Sequence, residues 1–217
     1  MPRVLVVVAV DAERAALGAR CLGAANVEVV VGGIGRTNAA AATAEALALA
    51  RAGGRPFGAA VSAGIAGSLP GSGLAPGAVV ISERCVYAEE GIELPAGFGD
   101  MSVLGFPLGP FRGNSVPVDR SLWAPFAALG PVAPIATVAT CSGTDAAARR
   151  VRERTHAAAE AMEGAAVVHA ALRAGVPGIE VRAISNTTGD RPRQQWDMPR
   201  ALAALGAVGD AIAAFAG

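Results

Sequence analysis

The feature that most constrains the fold of this chain is an alternation of short apolar runs with Ala-rich helical segments. Residues 4–10 form a continuous apolar run that is too short to span a bilayer, and Asp11-Ala12-Glu13-Arg14 follows it directly. Val29-Val30-Val31 leads in the same way through a glycine turn into the Ala- and Leu-rich segment 39–52. Both patterns predict a buried strand that runs into a helix.

The same alternation continues along the chain and predicts an α/β fold around a mostly parallel sheet. The apolar run 79–86 continues without a helical segment into Tyr87, so we expect a sheet of mixed strand direction. With 217 residues, the chain fits one domain over 1–217. We predict strands at 3–10, 27–33, 58–64, 77–88, 132–139 and 178–185, and helices at 11–20, 36–53, 143–155, 161–174 and 198–215.

Charge and cysteine content limit the classes of partner. The chain has 18 basic and 18 acidic residues and no basic run, which argues against nucleic acid and membrane surfaces as partners and favours a small uncharged or weakly anionic ligand. All 18 basic residues are Arg, so no Lys side chain is available as an amine nucleophile. The three cysteines have no metal-type spacing, and their odd number predicts free thiols in the cytoplasm.

Two segments combine an acid, a cation and an amide in apolar surroundings, namely Glu160 to Ala166 and Glu180 to Asn186. Glu163 can accept hydrogen bonds from ribose hydroxyls while the thioether of Met162 covers the sugar, and Asn186 can address a base. The alternative is that Glu163 is a solvated acid at a helix start, Met162 fills the core and Asn186 ends a turn.

These segments belong to four stretches whose order and spacing resemble the purine nucleosidase and nucleoside phosphorylase superfamily over nearly the whole chain. The segment after Asn186, through Trp196-Asp197, is similar to the futalosine-cleaving branch of that superfamily. The four stretches are Ala9-Val10-Asp11-Ala12-Glu13, Ser62-Ala63-Gly64-Ile65-Ala66-Gly67, Ala161-Met162-Glu163-Gly164-Ala165-Ala166 and Arg182-Ala183-Ile184-Ser185-Asn186.

The resemblance implies a single three-layer, nucleoside phosphorylase-like domain and an N-ribosyl hydrolase that acts on a 6-oxopurine nucleoside, with futalosine as the expected substrate. It implies no metal and no organic cofactor. It also implies a homodimer or a higher homo-oligomer, with an adjacent subunit near residues 94–119. That segment is rich in Gly and Pro, and we interpret it as an ordered loop, a lid or a subunit contact.

The resemblance assigns catalysis to Glu13, Arg182 and Asn186. Glu13 would activate water and Arg182 would orient it. On local sequence alone, the reading of Glu13 as an ordinary acid in the first turn of a helix outweighs the catalytic one, and only the resemblance reverses this; Asp11 is the weaker alternative base. Arg182 is equally one half of a buried ion pair with Glu180, which lies on the same strand face.

The purine site is expected where a predicted strand ends in small polar groups, at Ser142 and Thr144, with Ala66 and Gly67 of the glycine-rich stretch nearby. Two departures from the family pattern fall here. Segment 145–147 lacks the aromatic residue that relatives commonly stack on the base, and Ile65 stands where relatives often carry a hydroxyl group.

Several other readings stay open. A phosphorylase would need cations at the glycine loop, where the superfamily's phosphorylases carry Arg and this chain has Ser62. A methylthioadenosine/S-adenosylhomocysteine- or aminodeoxyfutalosine-type nucleosidase, a nucleoside-binding protein without catalysis, and a thiol hydrolase are further alternatives. The thiol hydrolase would use Cys141 with His156 or His169. Candidates for holding a substrate carboxylate are Arg112, Arg191 and Arg193.

Overall fold

Eight strands form one sheet in the computed structural model, which describes residues 2–217, and two more form a separate hairpin. The hairpin pairs β5 with β6. The strands are β1 (Val4–Val8), β2 (Val27–Val31), β3 (Ala59–Ser68), β4 (Val79–Tyr87), β5 (Gly91–Leu94), β6 (Gly97–Asp100), β7 (Ser115–Pro117), β8 (Val132–Thr137), β9 (Ala159–Ala161) and β10 (Gly178–Thr187).

The sheet is mixed and mostly parallel, as predicted. Strand β3 lies at its centre, because it pairs in parallel with β1 and β10 and antiparallel with β9. The pairings β10–β4, β4–β8 and β8–β9 then lead back to β3, so these five strands close into a ring. Strand β2 extends the sheet beyond β1, and β7 pairs with β4.

Helices cover both faces of the sheet, which confirms the layered α/β arrangement. On one face, Leu205 and Ile212 of α7 pack with Val4 and Val6 of β1. On the other face, Leu5 packs with residues of α3 and α6. Alternate β1 side chains therefore enter different layers. The helices are α1 (Asp11–Ala16), α2 (Gly18–Leu22), α3 (Arg36–Ala52), α4 (Met101–Leu104), α5 (Asp145–Thr155), α6 (Gly164–Arg173) and α7 (Met198–Ala216).

Helix α7 is long and apolar enough to cross a membrane by length and composition alone. Its apolar face is buried against the sheet, with Ala201, Leu205, Val208 and Ile212 fully covered. Its hydrophobicity is therefore explained by its place in the core of the fold.

Three local differences separate the observed elements from the predicted ones. The predicted helix 11–20 is divided into α1 and α2 at Gly18, whose φ of +79° lies in the left-handed region. Strand β9 was not predicted, because three residues carry no readable periodicity. Segment 94–119 is not a plain loop, since it includes β6, α4 and β7.

Strand β10 has an irregularity that affects the site. Its register against β3 is regular from Gly178 to Ile184 and then shifts before Asn186, which leaves Ser185 as an extra residue. Such a bulge changes the direction in which the following side chains point. Arg182 and Asn186 therefore belong to two differently oriented halves of one strand.

Candidate active site

Glu13 is buried at the first turn of α1, with 3% of its surface exposed. Its Oε2 atom accepts hydrogen bonds from the backbone N–H groups of Ala9 and Val10, at 2.8 and 3.3 Å. Its Oε1 atom accepts from the N–H of Ile65 at 2.9 Å. The carboxylate thus caps its own helix, but it also reaches across to β3, which an ordinary solvated first-turn acid does not do.

Arg182 contacts three other residues of the site and is almost fully buried. Its Nε donates to Glu180 Oε1 at 2.8 Å, and its Nη2 donates to Ser62 Oγ at 3.1 Å. Nη2 also forms an ion pair with Glu163 Oε2 at 3.3 Å. Burial alone would lower the pKa of Arg182, but Glu180, Glu163 and Glu13 outweigh it and raise that pKa above its ordinary value.

Glu163 is buried at the N-terminal end of α6, so the reading of a solvated acid is wrong. Its Oε1 accepts from the N–H of Gly35 at 3.0 Å, and its Oε2 accepts from the N–H of Met162 at 3.2 Å. The glycine turn before α3 therefore fixes a carboxylate that belongs to a distant part of the chain. Met162 is half-buried beside it.

Glu180 lies fully buried beneath the start of α6. A Cβ atom at Gly164 would come within 1.9 Å of its carboxyl carbon, so this position requires glycine. Burial raises the pKa of Glu180, while the nearby Arg182 lowers it less strongly. Arg182 thus forms the buried ion pair with Glu180 through Nε, and through Nη2 it also approaches Glu163. The structural role and the role in the site, which the sequence left as alternatives, are therefore compatible.

Asn186 lies just after the bulge and has a fixed orientation. Its Oδ1 accepts from the hydroxyl of Ser185 at 2.7 Å, and its Nδ2 donates to the carbonyl of Thr187 at 2.9 Å. A carbonyl only accepts, so the amide nitrogen must face Thr187. One N–H of Nδ2 remains for a ligand. The Ser185 hydroxyl is also 3.2 Å from the carbonyl of Ala66.

We call the segment Thr140–Thr144 the base loop. Within it, Ser142 is buried and Thr144 is exposed. The N–H and Oγ of Ser142 donate to the two carboxylate oxygens of Glu160 at 2.7 and 2.6 Å. Burial raises the pKa of Glu160, and the bonds from Ser142 oppose that rise. Thr144 is exposed, and its hydroxyl oxygen accepts from Ala147 as the cap of α5.

Residues 189–197 return across the base loop. Gln194 donates to the carbonyl of Ser142 at 3.0 Å, and Trp196 forms an antiparallel bridge with Asn186. The guanidinium of Arg191 lies 4.5 Å from the centre of the Trp196 ring. Arg193 pairs instead with Asp145 and Asp190 at the surface.

The histidines have structural surroundings. His169 packs edge-on against Phe111 and Tyr87, with ring centres 5.0 and 6.1 Å away. His156 ends α5 in the left-handed region, at φ +54°. Cys141 is exposed, and all three cysteines are free thiols. Within residues 2–217, no group of three or more His, Cys, Asp or Glu side chains is placed to hold a metal ion.

The structure brings Glu13 and Arg182 together beside Gly64 of β3, with Glu163 paired to Arg182, and places Asn186 farther along β3, beside Gly67. It also adds two residues that the sequence did not indicate. Glu160 holds the base loop, and Gly35 holds Glu163 through its N–H. A buried acid in a three-residue strand leaves no pattern in the sequence. The N–H contact of Gly35 depends on the pairing of distant elements, so no local signal could have identified it.

Comparison with known proteins relates the chain to one superfamily. The Phosphorylase superfamily profile matches residues 15–214. The chain is 39% identical over 183 residues to a futalosine hydrolase of Streptomyces coelicolor, which covers 82% of this chain and 74% of that protein. It is 38% identical over 179 residues to a futalosine hydrolase of Thermus thermophilus, which covers 80% and 75% of the two chains.

Solved structures with the same fold include nucleosidases with nucleoside analogues bound. The S-adenosylhomocysteine nucleosidase of Streptococcus pyogenes, in complex with 5-methylthiotubericidin, superposes with a TM-score of 0.74 at 22% identity over 99% of this chain and 95% of that one. The 5'-methylthioadenosine/S-adenosylhomocysteine nucleosidase of Neisseria meningitidis gives 0.76 at 18% identity, over 99% and 100%. At these identities the similarity establishes the fold.

Proposed function

The chain belongs to the futalosine hydrolase family of the Phosphorylase superfamily, and we propose that it hydrolyses the N-glycosidic bond of futalosine to hypoxanthine and dehypoxanthine futalosine. This places it on the route to menaquinone. The proposal is supported by 38–40% identity to three futalosine hydrolases. It is also supported by the buried acids around Arg182. Among them, Glu13 would activate water and Glu163 would bind the ribose.

Glu13 is the general base in this proposal. A water molecule attacks C1′ of the ribose, its oxygen forms the new bond, and one of its protons passes to the Glu13 carboxylate. Arg182 orients the water, because its guanidinium lies beside Glu13 over Gly64. Glu13 is held by three backbone N–H groups, so its carboxylate needs little reorganisation before it accepts a proton.

Glu163 stabilises the sugar as the bond to the base breaks. The ribose then acquires positive charge, and hydrogen bonds from its 2′ and 3′ hydroxyls to an anionic acceptor become stronger. The bonds from Gly35 and Met162 hold the carboxylate in place for this role. The side chain of Met162 covers one face of the sugar.

The departing base takes the electron pair of the broken bond. The remaining N–H of Asn186 donates to the N7 and O6 edge of hypoxanthine, where negative charge accumulates, and the base then takes a proton from solvent while Glu13 returns its proton to solvent. Ala66, Gly67, Ser142 and Thr144 form the surroundings of the base in this proposal. No step calls for a metal or an organic cofactor.

The observation that carries the proposal is the contact of Arg182 with Glu163, 3.3 Å apart, beside a Glu13 that is locked by backbone donors. Product analysis after incubation with futalosine, aminodeoxyfutalosine, methylthioadenosine and inosine tests it. We expect hypoxanthine from futalosine. Adenine released from the 6-amino substrates, without cleavage of futalosine, would contradict the proposal. Binding of futalosine without turnover would instead support a nucleoside-binding protein.

A nucleosidase for methylthioadenosine or S-adenosylhomocysteine is the second candidate, because the matched solved structures include such enzymes. The residue that distinguishes this candidate from a futalosine hydrolase is Asn186. The free N–H of Asn186 faces an edge on which hypoxanthine has two acceptors, N7 and O6, whereas adenine places a donor at position 6. Relatives that cleave adenine nucleosides carry Asp after the serine that corresponds to Ser185.

We also propose that the protein is a homo-oligomer in the cytoplasm. The hairpin β5–β6, helix α4 and the residues just after it expose large apolar side chains, among them Val103 of α4 at 61% and the following Phe106 at 67% of their surface. Clusters of this kind mark contact surfaces. Light scattering coupled to size-exclusion chromatography measures the mass, and Phe106→Glu with Val103→Glu is expected to lower it to that of one chain.

A further inference from the structure

Glu160 is a buried acid that the proposed chemistry does not use. It lies on β9, opposite Gly67 of β3 and Ala136 of β8, and only 5% of its surface is exposed. Because side chains alternate along a strand, Glu160 points away from Ala159 and Ala161, which pack in the apolar core with Ile135 and Ile184. The side chain of Glu160 therefore lies on the other face of β9, where it contacts Ser142.

The carboxylate of Glu160 has spare acceptor capacity. Oε1 accepts one hydrogen bond from the N–H of Ser142, and Oε2 accepts one from the Ser142 hydroxyl. A carboxylate oxygen accepts two hydrogen bonds, so each oxygen can take one more. Ser142 belongs to the base loop, and these remaining acceptor positions therefore lie beside the expected base.

Glu160 and Asn186 flank the same glycine. A Cβ atom placed on Gly67 would lie 2.8 Å from Thr188 Cγ2, 3.2 Å from Asn186 Nδ2 and 3.7 Å from Glu160 Cγ. The amide donor of Asn186 and the side chain of Glu160 thus lie beside the same backbone position, together with the methyl group of Thr188. A ligand that fits this pair must present an acceptor and a donor on neighbouring edges.

A 6-oxopurine has this arrangement. Its N7 and O6 accept hydrogen bonds, and the adjacent N1–H donates. A 6-aminopurine has a donor at position 6 and an acceptor at N1, so both edges are reversed. A carboxylate accepts only, and facing an adenine N1 it would leave two acceptors opposed.

We infer that Glu160 is a specificity-determining residue that accepts the N1–H of a 6-oxopurine, while Asn186 donates to its O6 and N7 edge. This inference rests on the proposed function, since it assumes that a purine binds between Asn186 and the base loop. Selection against a 6-aminopurine is then made at two positions.

Glu160 also positions the base loop through Ser142, and the test must separate that role from contact with the base. Glu160→Gln keeps the shape of the side chain. Its oxygen satisfies the N–H of Ser142, and its NH2 group replaces an acceptor with a donor. Ser142→Ala is the matched control, because it removes one bond within the loop and leaves the carboxylate intact.

The first measurement is the ratio of kcat/KM for futalosine to kcat/KM for aminodeoxyfutalosine. Replacing an acceptor by a donor should lower this ratio by about tenfold or more in Glu160→Gln. Ser142→Ala should change both substrates alike and leave the ratio unchanged. Futalosine turnover by the unmodified enzyme, with an unchanged ratio in Glu160→Gln, would overturn the role of Glu160 and leave the proposed function standing.

The second measurement needs no variant. Inhibition constants of hypoxanthine and 1-methylhypoxanthine are compared on the unmodified protein, because the methyl group removes the N1–H. We expect 1-methylhypoxanthine to bind about tenfold more weakly or worse. Equal inhibition by the two bases would overturn the inference even if Glu160→Gln fails to fold. Failure of futalosine to react at all would count against the proposed function instead.

Discussion

The carboxylate of Glu13 and the guanidinium of Arg182 share the space above Gly64. A Cβ atom on this glycine would lie 2.5 Å from Glu13 Oε1 and 2.4 Å from Arg182 Nη1. Neither group can withdraw freely, because Glu13 is bonded to three backbone N–H groups and Arg182 to Glu180. The missing side chain at Gly64 is therefore what allows the proposed base and the proposed water-orienting group to lie side by side.

Gly64→Ala should abolish most activity because the added methyl group forces Glu13 and Arg182 apart. We expect kcat to fall at least about 100-fold, with a loss of about 1–3 kcal/mol in the free energy of unfolding from overpacking. Steady-state kinetics and denaturant titration measure the two effects. Gly206→Ala on α7 is the control, since its new Cβ meets only Ala16 O at 3.6 Å. A fully active Gly64→Ala would contradict the arrangement.

Glu13→Gln tests the general base directly. The carboxamide keeps the size of the side chain but accepts no proton from water, so we expect kcat to fall by at least about two orders of magnitude. Asp11→Asn is the matched control, because Asp11 is exposed in the same helical turn. Melting curves of both variants check the fold. If Asp11→Asn loses activity and Glu13→Gln keeps it, Asp11 is the base.

Asn186→Asp should change which base is preferred. In the present structure the amide nitrogen donates to the carbonyl of Thr187, so an Asp at this position must carry a proton to avoid opposing two oxygens. Because that proton is used on Thr187, the Asp keeps an acceptor for the 6-amino group of adenine and has no donor left for O6 of hypoxanthine. We expect the ratio of kcat/KM for futalosine to that for aminodeoxyfutalosine to fall by about tenfold to a hundredfold.

Ser185→Ala is the control for this exchange, because it removes the hydroxyl that orients Asn186 without altering the donors that face the base. It should slow both substrates by similar factors. An unchanged substrate ratio in Asn186→Asp would mean that Asn186 only ends the strand.

Turnover should be independent of phosphate. Ser62 occupies the position where the superfamily's phosphorylases carry Arg, and its hydroxyl is buried against Arg182. The two acids that approach this arginine, Glu163 and Glu180, also repel an anion. Rates and products compared with and without added phosphate decide this. Formation of a sugar 1-phosphate would show that the enzyme is a phosphorylase.

One of the three thiols should react quickly with Ellman's reagent in the native protein. Burial, with a smaller contribution from Asp210, raises the pKa of Cys21 to about 11, and burial raises that of Cys85 well above its usual value. Below these pKa values both stay protonated and unreactive. Cys141 is exposed. We expect Cys141→Ser to remove the fast phase and hypoxanthine to slow it, since Cys141 precedes Ser142.

The layered fold was predictable because its strands are long apolar runs with clear ends. Val4 to Val8 are buried on both faces, and a strand of that kind shows no polar alternation in the sequence. The ring formed by β3, β10, β4, β8 and β9 was not predictable, since pairing between distant strands leaves no local signal. The division of the first helix at Gly18 was not predictable either, because a glycine in the sequence can equally lie inside a continuous helix.

The candidate site was predictable as residue types and only partly as geometry. The resemblance to a known superfamily selected Glu13, Glu163, Arg182 and Asn186. The sequence left open whether Arg182 pairs with Glu180 or serves the reaction, and the structure shows that different edges of one guanidinium contact Glu180 and Glu163. Glu160 was missed because its importance depends on Ser142 and Gly67, which lie far away in the chain.

The bulge at Ser185 has a consequence for how such enzymes diversify. In the proposed function, Arg182 on one side of it serves bond cleavage and Asn186 on the other contacts the base. Because the extra residue breaks the register between them, an exchange at Asn186 need not disturb the packing around Arg182. Nucleobase preference can therefore change at this end of the strand while the residues proposed for cleavage at the other end stay as they are.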